Sequence, residues 1–495
     1  MKVLVTGGTG VVGTATVTEL LRRGHHVRLL SRRAAEAPEE WERTVEAFPA
    51  DIGDAARVRG AAEGCGAVIH ITGIVKESPP ELTFERINVG GTQNIVDEAM
   101  RAGVRRLIFV SSLGAERGES EYHRSKLRGE EIVRTFRGSW TIVRPGAVVG
   151  PGDETVSVLL RMVRTLPVVP VIGDGDQPFQ PVWHRDLACA LADCVDRSDV
   201  GGRILRIAGS DVITVREVID LFSDVTDRSP LRVPLPAFLA RIGSTLAAAV
   251  GIDAPVSAAT VRMLLEGNHL RDDQQNDLTG LLGHQPAPLR RRLVQLVDAL
   301  PEQTPEQGVG KLKCRRFTTD ILDSPLTAAR LLERFRKGFA RLVPFDAVAE
   351  PGASSLLELD ATLTLELPAR GHVQVRVEQL DQQVITVATL EGHPLAGVVR
   401  FRFEDHAPGV IRFTIDVIER PASRLDQLSM ALFGSIAQTH TWKETAARVV
   451  READGRAPDG VAEESWQLDD EQAEPLEEWI RSIVQRRRRA TANRT

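Results

Sequence analysis

Tyr122-His123-Arg124-Ser125-Lys126 sets a phenol and an ammonium four positions apart. On a helix that spacing puts both side chains on one face. A free tyrosine, with a pKa near ~10, is a poor base at neutrality. A neighbouring cation lowers it by favouring the phenolate. Upstream, Ser111-Ser112 supplies a hydroxyl that can polarise a carbonyl. Tyr122 is the chain's single tyrosine. This combination suits proton transfer at a carbonyl or an alcohol.

A second set of residues opens the chain. Thr6-Gly7-Gly8-Thr9-Gly10-Val11-Val12-Gly13 lies between an apolar run and a helical pattern. There Gly7 permits a tight turn, Gly10 lets backbone approach a pyrophosphate, and Gly13 lets helix and strand pack closely. The N–H groups of the helix's first turn, at Val11 and Val12, then face the phosphates. The second strand ends in Leu30-Ser31-Arg32-Arg33, without the acidic residue that NAD sites use for the ribose hydroxyls. Ser31, Arg32 and Arg33 suit a 2′-phosphate, which favours NADP over NAD. Solvated surface arginines are the competing reading. Asp51 and Ile52, after the third strand, would lie beside the adenine.

These residues need a scaffold that gathers strand ends. Short apolar runs at Lys2–Thr6, Val27–Leu30, Val45–Phe48, Ala67–Ile71, Arg106–Val110 and Trp140–Val143 alternate with helical patterns. Unbroken apolar strands are buried on both faces. Their alternation with helices predicts an α/β fold with a Rossmann-type parallel sheet. Residues 151–300 are less regular, with helices at Glu217–Val225 and Leu289–Leu300 on the substrate side.

TGGTGVVG, Asn88-Val89-Gly90-Gly91-Thr92, VSS at 110–112, YHRSK and RPGAVVGPGD at 144–153 together resemble an extended short-chain dehydrogenase/reductase. VWHRDLA at 182–188 resembles the later segment in which such proteins carry an acidic residue before a helix. The resemblance covers residues 1–300. The VSSLGA segment is most similar to the nucleotide-binding accessory subunit of respiratory complex I and its bacterial relatives called nucleoside-diphosphate-sugar epimerases. The resemblance implies an NADP-dependent oxidoreductase or epimerase-like enzyme. Ser112, Tyr122 and Lys126 match the catalytic set, and Lys126 would also hold the nicotinamide ribose. Gly7, Gly10, Gly13, Arg32 and Asp51 match cofactor positions, and Asn88 matches a motif residue that is at least structural. Ser112 and Tyr122 are only ten positions apart, fewer than is usual in sugar-nucleotide epimerases. That spacing questions a sugar-nucleotide substrate more than the hydride chemistry. The accessory-subunit likeness keeps open a redox-silent NADPH-binding assembly or regulatory protein.

PEQTPEQGVG at 301–310 reads as a linker. After it, Ser324-Pro325 predicts a helix start, with Leu331, Leu332, Phe335 and Phe339 inward. Strand-like runs follow at Leu356–Leu367, Val373–Leu380, Gln383–Leu390, Gly397–Phe403 and Val410–Ile418. A long helix from Ser423 to about Glu452 would turn Leu428, Leu432, Phe433 and Ile436 inward. Residues 311–455 thus form an α+β domain with an antiparallel sheet. Leu390–Gly397 with Arg400-Phe401 resembles an uncharacterised bacterial helix-grip-like family, whose fold can enclose an apolar ligand or serve as scaffold. Residues 456–495 read as a charged tail. Its stripe of Leu476, Trp479, Ile480 and Ile483 is amphipathic, and Arg486–Arg489 is expected to be a solvated helix end.

Composition narrows the partners. With 26% charged residues and a net charge of −6, the 495-residue chain has no basic field for nucleic acid. Cys65, Cys189, Cys194 and Cys314 form no CxxC pair, which fits a reducing cytoplasm and neither disulfides nor zinc. His372, His393 and His440 lack metal-ligand spacing. No signal peptide or transmembrane segment is expected, since Val233–Ile252 is interrupted by prolines and Arg241. The expected partners are a small-molecule substrate and a second copy of the chain.

Overall fold

The computed structural model describes all residues except 33, 35–40, 42–43, 119, 154–155, 166–167, 227–228, 237–267, 298–299, 345–346, 350–355, 368–370 and 493–495. The chain divides into two compact units. One comprises Met1–Leu160, Val168–Phe222 and Arg232–Val297; the other comprises Arg161–Pro167, Ser223–Leu231 and Asp298–Thr495.

The first unit is built on a seven-stranded parallel sheet. In chain order its strands are β1 (Lys2–Thr6), β2 (His26–Ser31), β3 (Val45–Pro49), β4 (Ala67–His70), β5 (Arg106–Val110), β6 (Ser139–Pro145) and β7 (Arg203–Ile207), with spatial order β7-β6-β5-β4-β1-β2-β3. The reversal of direction between β1 and β4 places a crevice at their carboxyl ends, where such sheets bind ligands. Helices α1 (Val11–Arg22), α2 (Gly91–Arg101), α3 (Glu121–Val133) and α4 (His184–Asp196) cover the faces. Val3 and Val5 point into a core with Val17, Leu20, Leu187 and Leu191. Leu4, between them, points the other way, into a core with Val96, Phe109 and Val133. Burial on both faces explains the unbroken apolar strands. The exception is β3, an edge strand with Glu46 and Ala47 exposed.

The second unit holds an eight-stranded antiparallel sheet. Its strands are β8 (Leu312–Leu322), β9 (Ala347–Ala349), β10 (Thr362–Leu367), β11 (Gly371–Leu380), β12 (Val384–Thr389), β13 (Leu395–Ala407), β14 (Val410–Pro421) and β15 (Ala462–Leu468), in the order β9-β10-β11-β12-β13-β14-β8-β15. On one face pack α5 (Ala328–Leu342) and α6 (Arg424–Glu452), with Phe335 against Phe401, Phe403 and Phe413. On the other packs α7 (Asp470–Ala492), through Ala473 and Ile480.

Several details depart from expectation. Helix α5 starts at Ala328 with Thr327 as its cap. Ser324 instead closes a turn, accepting from Leu326 N–H and donating to the Ala453 carbonyl. Residues 301–310 are packed rather than free. Glu302 bridges to Leu390, Gln303 N–H donates to the Thr389 carbonyl, and Pro305–Gln307 forms a capped 3₁₀ turn. The basic end of α7 is not simply solvated either. Arg487 is 7% exposed and donates to Glu302, Glu378 and Asp360. Of the residues expected on the inner face of α6, the side chains of Leu428, Leu432, Phe433 and Ile436 lie outside the described residues, as does most of Val233–Ile252. Among the described residues, no helix is long and apolar enough to cross a membrane. All four cysteines are free.

Candidate functional site

The turn from β1 into α1 is shaped by close approach. Gly7 sits at φ +70°, and a side chain there would also meet Thr72 backbone at 3.0 Å. A Cβ at Gly13 would lie 2.1 Å from the Gly7 carbonyl oxygen, so helix and turn touch backbone to backbone. A Cβ at Gly10 would meet only that same oxygen, at 3.6 Å. Gly10 is the N-cap of α1, and no side chain caps the first turn at Val11 and Val12. The turn therefore leaves open space over uncapped helix N–H groups, which fits a dinucleotide pyrophosphate.

Ser31 ends β2, its hydroxyl 3.2 Å from that of Thr9 in the glycine turn. Arg32 follows, exposed, and its charge acts on Asp51. Arg33 lies outside the described residues. Burial raises the Asp51 carboxyl, but bonds from Gly53 N–H and Arg86 outweigh it and hold the group below its ordinary value. Ile52 is buried against Gly91, with its carbonyl accepting from Asn94.

Across the crevice, Ser112 ends the segment after β5, and Tyr122 stands in the first turn of α3. Ser120 caps that helix. The Ser112 hydroxyl hydrogen-bonds the Tyr122 phenol. Lys126, one turn later, is buried; its Nζ donates to the Val110 carbonyl at 2.8 Å and lies 5.0 Å from the Phe109 ring centre. The expected depression of the phenol by Lys126 is not what these residues give. Burial pushes Tyr122 up to about 12 against the opposing Ser112 bond. Burial also pushes Lys126 down to about 8, opposed by Glu130. Both groups are thus shifted toward their neutral forms.

Asn88 braces the neighbouring loop. Its amide donates to the Ile74 carbonyl and to Ser125 Oγ, and its oxygen accepts from Ile74 N–H. The loop so held carries Gly73, whose Cβ would come 2.9 Å from Lys126 Nζ.

Two supports were not singled out from the sequence. His70 lies at the end of β4 between Thr6 and Thr92, with hydrogen bonds of 2.7 and 3.1 Å, and burial pushes it down to about 3. Beneath α3, Glu130 accepts from Ser111 at 2.6 Å and from Arg144 at 2.8 and 2.6 Å, while Arg144 also reaches Glu116. The available signal was Arg144 itself. A charge at the end of the apolar β6 has to be paired.

Residues 3–208 match the NAD dependent epimerase/dehydratase family. The chain is 37% identical over 241 residues to the ceramide reductase of Caulobacter vibrioides, covering 48% of this chain and 75% of that protein. It is 31% identical over 264 residues to sterol demethylase protein B of Methylococcus capsulatus, covering 48% and 78%. It is also 27% identical over 245 residues to the mitochondrial NADH dehydrogenase [ubiquinone] 1 alpha subcomplex subunit 9 of Arabidopsis thaliana, covering 48% and 61%.

Proposed function

Because the chain belongs, through its N-terminal half, to the NAD(P)-binding epimerase/dehydratase family, we propose that it is an NADP-dependent reductase acting on a carbonyl of a lipid-like molecule. The observation that carries this reading is the hydrogen bond between Ser112 and Tyr122, with Lys126 one turn along the same helix. The bound nicotinamide would supply the hydride.

Two hydroxyls meeting at one point can both donate to a carbonyl oxygen, Ser112 orienting it and Tyr122 delivering the proton. A phenol held protonated well above neutrality suits the acid role of the reduction direction. Proton delivery leaves a phenolate, and the Lys126 ammonium would stabilise it. Lys126 would also hold the nicotinamide ribose. Gly7, Gly10, Val11, Val12 and Gly13 would cradle the pyrophosphate; Ser31, Arg32 and Arg33 would hold the 2′-phosphate; Asp51 and Ile52 would flank the adenine. Asn88 would act by holding the Gly73 loop rather than by touching the cofactor. The names of two relatives, a ceramide reductase and a sterol demethylase protein, support a lipid-like substrate. Four free cysteines fit a cytoplasmic setting.

A second reading has support of its own. Lys126 donates to the Val110 carbonyl, and one relative is named as a subunit of an NADH dehydrogenase. In that reading NADPH stabilises a redox-silent assembly or regulatory protein, whose C-terminal unit binds an apolar ligand or a partner.

Tyr122→Phe separates the two. It should leave NADPH affinity nearly unchanged while lowering turnover of long-chain keto-lipids by ~10²-fold or more. NADPH oxidation that is unaffected by the change would remove the triad from the chemistry. No turnover across a broad carbonyl screen would favour the assembly reading.

A further inference from the structure

In the second unit, the sheet face under α7 changes character part-way along. One cross-strand row is apolar, with Val398, Ile418 and Cys314 beneath the helix. The next row holds Arg400 on β13, Asp416 on β14, Arg316 on β8 and Glu464 on β15, each opposite the next. Between this row, α7 and β15 lies a cleft of about 300 Å³, whose walls include Arg316, Arg400, Asp416, Ile418, Trp466 and Trp479. That volume is at the small end of ligand sites.

Two arginines face two carboxylates in this row, so what sets Arg400 apart is direct contact rather than charge count. Asp416 accepts from Arg316 at 2.6 Å and from Arg402 at 3.0 Å, which occupies both of its oxygens. Arg402 also has Glu404 at 3.5 Å. Arg400 has Asp416 as its cross-strand neighbour yet makes no ion pair among the described residues, and its buried Nε has no hydrogen-bond partner. It stacks instead on Trp479, 5.1 Å from the ring centre, and Arg316 lies 5.7 Å from the ring centre of Trp466. A half-buried guanidinium with no carboxylate in direct contact is costly, even with Asp416, Asp381 and Glu404 acting on it from further off. Stacking on indole offsets part of that cost and leaves the guanidinium's in-plane N–H donors for another group.

We propose that this cleft binds a small oxyanion carried on an apolar or aromatic body, with Arg400 as its charge partner. The fork of Arg400 matches two oxygens of a carboxylate or a phosphate ester. Ile418 and the two indoles supply the surface for the body. The site lies wholly within the second unit and does not depend on the dehydrogenase reading of the first.

Isothermal titration of the full chain, kept saturated with NADP so that the dinucleotide site is blocked, tests this. The probes are benzoate and octanoate for a carboxylic acid source, phenyl phosphate for a phosphate ester source, and benzyl alcohol as the uncharged body. At least one oxyanion should bind saturably, and the tighter arm names the source. Benzyl alcohol should not saturate. Arg400→Gln should weaken that oxyanion by ~10-fold or more, the scale of a charge-assisted bond. Arg400→Lys should fall between, because it keeps the charge and loses the fork. Arg412→Gln, which removes an ion pair with Asp320 elsewhere on the sheet, should have no effect. The proposal is overturned if no oxyanion saturates, if benzyl alcohol binds as tightly as benzoate, or if both Arg400 variants bind like the unmodified chain.

Discussion

Replacing Arg144 with methionine should lower the melting midpoint by about 6–20 °C, from a cost of about 3–5 kcal/mol at about 2–4 °C per kcal/mol. The cost follows from what the substitution leaves behind. Arg144 is 2% exposed and gives a two-pronged contact to Glu130, whose side chain is 0% exposed. Methionine fills much of the volume and removes the charge. Glu130 would then be a buried carboxylate bonded to the Ser111 hydroxyl at 2.6 Å and to Arg134 at 3.5 Å, with Lys126 acting on it only through its field. The double variant Arg144→Met/Glu130→Leu removes both charges, and replacing a whole buried pair is often near neutral. It should therefore recover most of the loss, short of about 1–3 kcal/mol for the acceptor that Ser111 gives up. Thermal unfolding followed by circular dichroism reads all four proteins of the cycle. Because Glu130 is on the helix of Tyr122 and Lys126, NADPH titration should weaken in the single variant and return in the double. A single variant melting within about 2 °C of the unmodified chain, or a double variant no better than the single, would refute the reasoning.

Arg32→Asp should weaken NADPH by on the order of 1.5–3 kcal/mol while sparing NADH; equal affinity for the two cofactors in the unmodified chain would overturn the NADP assignment. Gly10→Ala should fold normally, since its Cβ would have only one neighbour, at 3.6 Å, yet lose the thermal shift that NADPH gives the unmodified protein. Gly13→Ala should lower the melting midpoint even without cofactor, because its Cβ would fall 2.1 Å from the Gly7 carbonyl and 2.4 Å from Gly8 Cα; a normal midpoint would contradict that packing. With Lys126 pushed down to about 8 by burial, carbonyl reduction should decline as pH rises through 8. Tyr122, at about 12, should add no limb below that. A rate that stays flat to about pH 10 would argue against a role for the ammonium.

The parts of the site that could be read in advance are those whose function is local in sequence. Gly7 to Gly13 and Tyr122 to Lys126 each fall within one turn or one helix, so spacing alone sets their geometry. Their supports are not local. His70 joins Thr6 and Thr92, which lie 64 and 22 positions away, and a lone histidine carries no mark of such a pairing. In the second half, the run Leu312–Leu322 was not recognised as a strand, although it lies between β14 and β15. Its Arg315 and Arg316 look like solvent-facing charges. In the fold Arg315 is buried and Arg316 half-buried, paired with Glu419 and Asp416 on the next strand at 2.9 and 2.6 Å. The same logic hid residues 301–310. Prolines and glycines signal a loop, but Glu302 is drawn into the unit by Arg376, Arg487 and Arg488.

These misreadings share a cause that bears on how each unit holds its working surface. Both fix a helix to a sheet by burying an arginine among carboxylates. Arg144 on β6 holds α3 through Glu130, and Arg487 on α7 reaches Glu378 on β11. An apolar contact would bury the same surface with less desolvation cost, but it would allow the helix to slide by a fraction of a turn. A forked ion pair permits one register, because both N–H bonds fail together when the helix shifts. In the first unit that register decides whether Tyr122 meets Ser112. In the second it decides whether Trp479 covers Arg400. Placing the charge beneath the helix, rather than in the crevice or the cleft, leaves each surface open while its walls remain fixed.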